Sequence, residues 1–104
     1  MQIRQEEAIR AACRILGRRW ILGVLFAVSN EPLRFSEVHR RLPGMPKRSL
    51  GRVLLSLEKQ GLITRSVDSS RPPHVSYVLN GDPVLRQMLQ SVLKWGEMVL
   101  ENNA

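Results

Sequence analysis

Three cations and a serine cluster at the start of one helix-patterned segment, residues 44 to 65. Lys47, Arg48 and Arg52 supply charged donors and Ser49 supplies a hydroxyl. Such donors bind phosphate oxygens, and arginine also binds the O6 and N7 edge of guanine. Cations at the beginning of a helix cost about 0.3 to 1 kcal/mol each unless an anion from another molecule lies there. A solvated helix face would use the same residues, so the pattern alone leaves both interpretations open.

Further cations stand near the ends of other predicted elements. Arg71 lies in the polar, proline-rich segment "DSSRPP", where two prolines stiffen its position at a hairpin tip. His74 follows it and is either a phosphate contact or an ordinary strand residue. The other candidate contacts to an anionic backbone, with solvated charge as the alternative, are Arg18, Arg19, Arg40 and Arg41. Arg65 could instead pair with an acidic neighbour.

The distribution of charge indicates which partner such cations would bind. The net charge is +7, and residues 34 to 71 hold nine Lys or Arg against three Asp or Glu. The segments before and after this one are close to neutral. A basic middle between near-neutral flanks is typical of a surface that binds a polyanion. An anionic membrane or an acidic protein is the alternative, but the sequence has no amphipathic Trp/Phe/Lys helix for a membrane surface.

Length and composition set the broad class. The chain has 104 residues with 43% hydrophobic content, which suits one compact domain with a core of its own. The start "MQIRQEEAIR" lacks the apolar stretch of a signal peptide, and the longest apolar run, residues 20 to 28, is too short to span a bilayer. A single cysteine excludes an intrachain disulfide. We therefore expect a cytoplasmic protein without membrane segments.

The elements that must position the cations follow from hydrophobic periodicity and from Gly and Pro signals. In chain order they are a helix over 4–16, a helix over 18–28, a very short strand over 33–35, a helix over 37–42, a fourth helix ending at Gly61, strands over 62–67 and 74–79, and a last helix to about Leu100. Leu50, Val53, Leu54 and Leu57 place one face of the fourth helix inward. Three compact helices followed by a hairpin predict a mainly helical α+β fold, the winged helix-turn-helix.

Helix boundaries are predicted from capping residues. Ser36 is expected to cap the third helix, Pro46 to lie in the first turn of the fourth, and Asp82 with Pro83 to begin the last helix. We expect one domain over 1 to 104. Within it, residues 17 to 80 form the DNA-binding core, and residues 1 to 16 and 83 to 101 form dimerisation helices.

The two terminal helices each carry an apolar stripe that the core does not require. The predicted dimer contacts are Ile9, Ala12, Leu16, Leu85, Met88, Leu89, Val92, Trp95 and Val99. Cys13 falls on the first stripe and is predicted to be a small core hydrophobe, with a disulfide to a second copy as the alternative. Trp20, Phe26, Phe35 and Tyr77 are predicted to line the core.

Several segments, taken in order, resemble one family. They are "GRRW", "RFSEVHRRLPGM", "LEKQGLITR", "RPPHVSYVL" and the "WG" at 95 to 96. Together they are similar to HxlR-type transcriptional regulators, relatives of the MarR group. The resemblance implies a homodimeric DNA-binding regulator that reads an inverted repeat. The chain departs from the family pattern at Gly51, Val53 and Leu55. Glu7 stands where several members carry a sensing cysteine, so no redox role is carried over.

The sequence thus predicts a regulator, most simply a repressor, that binds double-stranded DNA as a homodimer. The expected DNA-binding residues are Lys47, Arg48, Ser49, Arg52, Arg71, Arg40 and His74. No residues have the spacing of a metal site, a phosphate loop or a nucleophile set, so we expect neither an enzyme nor a cofactor. The rival hypotheses are a nonspecific nucleic-acid coating protein and a winged-helix module that binds protein.

Overall fold

A computed structural model describes residues 2 to 103; Met1 and Ala104, the ends of the predicted 1 to 104 domain, lie outside the described residues. The elements are α1 (Ile3–Leu16), α2 (Ile21–Ala27), β1 (Leu33–Arg34), α3 (Phe35–Arg40), α4 (Lys47–Lys59), β2 (Ile63–Val67), β3 (Val75–Leu79) and α5 (Pro83–Asn102). Their order confirms the predicted mainly helical α+β architecture of a winged helix-turn-helix. The division into a DNA-binding core and two dimerisation helices stays a prediction.

The small sheet carries the hairpin that makes the wing. Strand β3 is central and pairs antiparallel with β1 on one side and β2 on the other. Leu33 lies opposite Tyr77, and Ile63 lies opposite Leu79. We call β2, β3 and the loop of residues 68 to 74 the wing. Because β3 is hydrogen-bonded on both edges, the base of the wing is fixed to the helical part of the chain.

The core is one cluster drawn from residues 21 to 89. Its members are Ile21, Val24, Leu25, Ala27, Val28, Leu33, Val38, Leu42, Met45, Leu50, Leu54, Leu57, Ile63, Leu79 and Leu89. Trp20, Phe26, Phe35 and Tyr77 pack against this cluster and are partly buried, as predicted. Helix α1 contributes no buried residue. The core therefore stabilises residues 21 to 89, and helix α1 packs against it through the partly buried Ile15 and Leu16.

Two of the predicted roles differ in the structure. Leu89 was expected at a dimer contact, but its side chain is 1% exposed and belongs to the core of its own chain. Cys13 was expected to be a core hydrophobe, and it is exposed. Both residues lie on helical stripes, and helical spacing shows which residues share a face without showing what covers it.

The turn between α3 and α4 orients the fourth helix. Leu42 and Met45 are buried, so the turn is held down by two apolar side chains. The His39 Nε2 atom lies 2.7 Å from the Met45 carbonyl oxygen and acts as its donor. Gly44, between them, has a φ of 87°, a conformation that favours glycine. These contacts fix the angle at which α4 leaves the turn.

Three helix starts differ slightly from the sequence prediction. Helix α2 begins at Ile21 rather than near Arg18, because Trp20 has a φ of 80° and cannot continue a right-handed helix. Helix α3 begins at Phe35, so Ser36 lies inside it; Glu37 instead accepts a 2.9 Å hydrogen bond from the Arg34 backbone N–H through its Oε1 atom. Pro46 is the residue before α4 rather than within its first turn.

The end of α4 is held by a glycine turn. Gly61 has a φ of 76°, its N–H donates to Glu58 O at 3.0 Å, and the Leu62 N–H donates to Leu57 O at 2.9 Å. This pair of bonds is a Schellman motif. The Asn80 side-chain amide also donates to Gly61 O. At the next boundary, Asp82 accepts from the Val84 N–H at 2.9 Å, as predicted for the start of α5.

Two glycine-to-alanine substitutions are expected to change stability in opposite directions. Gly61→Ala places a Cβ on a left-handed residue and should lower the free energy of unfolding by about 1 to 2 kcal/mol. Gly51→Ala lies inside α4, where an added Cβ meets nothing within 4 Å. It should raise the free energy of unfolding by up to about 1 kcal/mol. Urea unfolding at one protein concentration measures both, and equal effects would contradict the assigned turn.

Candidate nucleic-acid interface

The outer surface of α4 is a row of side chains opposite its buried stripe. Arg48, Arg52, Leu55 and Lys59 recur at helical spacing and are all exposed, and we call them the outer stripe. The opposite stripe, Leu50, Leu54 and Leu57, is buried. Lys47 is exposed and Ser49 is half-buried at the beginning of the same helix. The structure thus brings together the four predicted contacts at residues 47 to 52.

The cations of α4 form no ion pair within the described chain. Its first turn holds no acidic residue. Within residues 2 to 103, no carboxylate lies at ion-pair distance from Lys47, Arg48, Arg52 or Lys59. The positive end of the helix dipole adds to their field rather than opposing it. This end of α4 is therefore a strongly electropositive surface.

Two neighbouring arginines before the turn have different roles. Arg41 lies 3.5 Å from Glu31 Oε1 through its Nη2 atom and donates to Ala27 O at 3.2 Å. Arg41 is thus used to tie the turn to the end of α2. Arg40 is exposed at the end of α3 and makes none of these bonds. The sequence left open which of these two arginines would contact an anion. Arg40 is the one whose guanidinium is not engaged with Glu31 or the Ala27 carbonyl.

The tip of the wing is organised around one carboxylate. Asp68 Oδ1 accepts from the Ser70 N–H at 3.0 Å, from the His74 N–H at 2.9 Å and from the Ser70 hydroxyl. These hydrogen bonds, first of all the one from the Ser70 hydroxyl, hold the pKa of the Asp68 carboxyl well below its usual range. Arg71 projects from this loop with an exposed side chain. The loop therefore presents Arg71 on a hydrogen-bonded base.

His74 lies between a carboxylate and a guanidinium. Its Nδ1 atom is 3.4 Å from Asp68 Oδ2 and 3.2 Å from Arg34 Nη2. An unprotonated Nδ1 accepts a hydrogen bond from Arg34, whereas a protonated Nδ1 faces the carboxylate. The unprotonated state thus connects the wing tip to β1, and the protonated state closes the loop onto Asp68. The structure places His74 as an internal connection of the wing, partly buried.

A small cleft beside α4 carries cations that the sequence reasoning did not group. Its volume is about 120 Å³, and Arg14, Arg18 and Arg52 line it together with apolar side chains that include Ile21. Arg14 was not among the predicted contacts. Its position in the last turn of α1 was the available signal, but only the fold shows that this turn lies beside α4. The basic surface thus extends from α4 toward the junction of α1 and α2.

The terminal helices expose much of their apolar surface. In α5, Trp95 is 67% exposed, and Leu93, Met98 and Leu100 are exposed as well. Of the other predicted dimer contacts, Ile9 and Ala12 are exposed, while Leu16, Leu85, Met88, Val92 and Val99 are half-buried. We call Ile9, Leu93, Trp95, Met98 and Leu100 the exposed terminal apolar residues; in α5, Trp95 and Met98 lie on one side of the helix and Leu93 and Leu100 on the other.

Metal clusters and membrane-spanning helices are absent from the described residues. Residues 2 to 103 contain no group of three or more His, Cys, Asp or Glu side chains placed to hold a metal ion. In the same range, none of the helices combines the length and the apolar character needed to cross a membrane. Among the described residues, charged and hydrogen-bonding side chains are concentrated on the basic surface of α4, in the cleft beside it and on the wing.

Comparison with known proteins identifies the family. The family model described as "HxlR-like helix-turn-helix" matches residues 15–104. An HTH-type transcriptional regulator of Methanothermobacter thermautotrophicus is 38% identical over 93 residues, which covers 88% of this chain and 70% of that protein. YvaP of Bacillus subtilis, another HTH-type transcriptional regulator, is 33% identical over 85 residues, or 81% of this chain and 79% of YvaP.

Solved structures share most of this arrangement of helices and strands. A MarR-family regulator structure from Porphyromonas gingivalis W83 matches with a TM-score of 0.78 at 26% identity, covering 90% of each chain. The redox regulator HypR in its oxidised form matches with a TM-score of 0.81 at 26% identity, covering 88% of this chain and 95% of HypR. Motifs, fold and family model agree, and the chain belongs to the HxlR-like helix-turn-helix family of transcriptional regulators.

Proposed function

We propose that this regulator is a homodimeric repressor that binds an inverted-repeat operator, with α4 in the major groove and the wing on the adjacent minor groove. The observation that carries the proposal is the outer stripe of α4, which is exposed, cationic and without a carboxylate partner in residues 2 to 103. An α-helix with its side chains is about 10 to 12 Å in diameter, which fits the width of the major groove of B-DNA. The DNA phosphates supply the anions that residues 2 to 103 do not place beside these cations.

Different side chains of α4 have different proposed roles. Arg48 and Arg52 carry the forked donors that pair with guanine O6 and N7, so they are the proposed base readers. Lys47 and Ser49, at the beginning of the helix, are placed for phosphate. Arg40 is proposed as a further phosphate contact, because Arg41 is occupied by Glu31 and the Ala27 carbonyl.

The wing extends the proposed contact beyond the major groove. Arg71 is proposed to enter the flanking minor groove or bind the adjacent backbone, since the loop presents it on a fixed base. His74 acts through that base, because its ring faces Asp68 and Arg34. Arg14 and Arg18, beside Arg52 in the cleft, add positive potential on the other flank of α4.

A second copy of the chain is the proposed cover for exposed terminal apolar residues, first of all Trp95 and Met98 on one side of α5. The radius of gyration is 15.4 Å, whereas a compact chain of this length has about 13 Å. The excess shows that the chain by itself is drawn out, with extents of 53 × 37 × 25 Å. Pairing the terminal helices of two copies would bury exposed apolar side chains such as Trp95. It would also set two α4 helices about 34 Å apart on one face of DNA.

Repression is the simplest proposed outcome of such binding. A dimer with α4 and the wing in place covers both grooves of a half-site, so it competes directly with other proteins for that DNA. No separate catalytic or activating element is needed for this competition.

The central prediction concerns DNA selectivity across salt. By fluorescence anisotropy, the protein should bind the DNA upstream of its own gene, at two chains per site, far more tightly than a scrambled duplex. Affinity should fall steeply with salt concentration as phosphate counterions are released. Arg48→Ala should weaken specific binding by about 1 to 3 kcal/mol, roughly 5- to 150-fold, and reduce selectivity.

The matched control is Arg4→Ala, which removes the same charge from an exposed position in α1. It should change affinity far less than Arg48→Ala. Equal binding of the parent protein to scrambled duplexes, and to duplexes selected from a random pool, would indicate a coating protein. Failure to bind any duplex at moderate salt would indicate that the outer stripe is surface charge and that the partner is a protein.

The wing tip has its own pH prediction. A carboxyl with a lowered folded-state pKa stabilises the fold above its unfolded pKa of about 3.9, and this contribution is lost as the pH falls through the folded-state value. Hydrogen exchange at the Ser70 and His74 amides should therefore stay slow, relative to intrinsic rates, from pH 7 to pH 4. Asp68→Asn should speed it at pH 7 and weaken DNA binding severalfold. Unchanged exchange in that variant would contradict the role of Asp68.

The dimer prediction is tested by sedimentation. The parent chain of 11.9 kDa should sediment as a dimer. Trp95→Asp should shift the protein toward monomer, because the new charge would be desolvated in the interface. Leu55→Asp is the matched control, since Leu55 is also exposed and apolar but lies on α4. A Trp95→Asp protein that stays dimeric would place the interface elsewhere.

A further inference from the structure

One apolar side chain interrupts the cationic outer stripe of α4. Leu55 is 52% exposed and lies one turn from Arg52 on one side and one turn from Lys59 on the other. The same three side chains line a shallow depression on the surface of the helix. The buried stripe faces the opposite direction, so Leu55 contributes nothing to the core.

The surroundings of Leu55 restrict what it could contact. Arg48, Arg52 and Lys59 lie on the same stripe, and no carboxylate within residues 2 to 103 pairs with them. An apolar protein partner would have to bury these cations beside Leu55, which is costly without counter-charges. A DNA major groove offers phosphates and acceptor atoms to the cations. It also offers one apolar group at the base edges, the C5 methyl of thymine.

We propose that Leu55 is a specificity-determining residue that packs against the C5 methyl of a thymine in each operator half-site. The inference rests on the proposed function and adds to it one base identity and its position. Leu55 follows Arg48 by seven residues, which is about 10.5 Å along the helix axis. With base pairs about 3.4 Å apart, this thymine lies within about three base pairs of the base that Arg48 reads.

Uracil replacement tests the methyl contact directly. Uracil differs from thymine only by lacking the C5 methyl, so it keeps the base pairing and the hydrogen-bonding pattern of the groove. A tight-binding duplex is first selected from a random pool with the parent protein, and each thymine is then replaced in turn by uracil. One position per half-site should lose affinity about fourfold, the effect of removing one buried methyl-sized group.

The variant Leu55→Ala should bind the thymine and uracil duplexes equally at that position, because its side chain is too short to reach the methyl. Truncating an exposed side chain should leave the fold intact, and thermal unfolding checks this. Val84→Ala is the control, since it shortens an exposed apolar side chain at the start of α5. This control should keep the uracil sensitivity of the parent protein.

The possible failures are distinguishable. A parent protein that selects a sequence but shows no uracil-sensitive thymine would overturn the inference and leave the proposed function standing. A Leu55→Ala protein that keeps the full uracil sensitivity would do the same, since the methyl would then contact another residue. A parent protein that selects no sequence from the pool would overturn both.

Discussion

Burial of one stripe of α4 is the constraint on which the rest of the molecule depends. Leu50, Leu54 and Leu57 are inside the core, and burying each such side chain contributes about 1.5 to 3 kcal/mol. A rotation of the helix would expose these leucines, so the helix has one orientation. Burial of the leucines consequently also fixes the direction in which the outer stripe faces, and the outer side chains need no packing contacts for this. The turn held by Leu42 and Met45 then sets the direction of the helix axis.

Three of the four carboxylates from residue 31 to residue 68 are used locally, and within residues 2 to 103 no carboxylate pairs with the cations of the outer stripe. Glu37 accepts from the Arg34 backbone, Glu31 pairs with Arg41, and Asp68 holds the wing tip. Each of these bonds orders a turn or a loop and stands away from the outer stripe of α4. Structural stability and a positive surface are thus compatible, because the carboxylates that shape the scaffold are kept off the surface that is proposed to bind DNA.

Most of the fold could be predicted from the sequence, because helical and strand periodicities, Gly61 and the pair Asp82 and Pro83 are local signals. The differences arose where tertiary contacts decide. The spacing of Leu89 places it on a stripe, and only the packing shows that its own core covers it. The left-handed conformation of Trp20 could not be predicted from its residue type, since residues in that conformation are usually glycine or asparagine.

For the candidate site, the sequence predicted the α4 cations correctly as one exposed group, because they share a short helical segment. It could not predict the separate roles of Arg40 and Arg41, which depend on where Glu31 lies. The cleft that joins Arg14 to Arg52 depends on the approach of two helices far apart in the chain.

Helix α1 also has a consequence for gene expression. It is 14 residues long with no buried residue, so alone it would be marginally stable. At chain concentrations below the dissociation constant of the homodimer proposed above, the dimer concentration grows with the square of the chain concentration, so operator occupancy rises more steeply than in proportion to gene dosage.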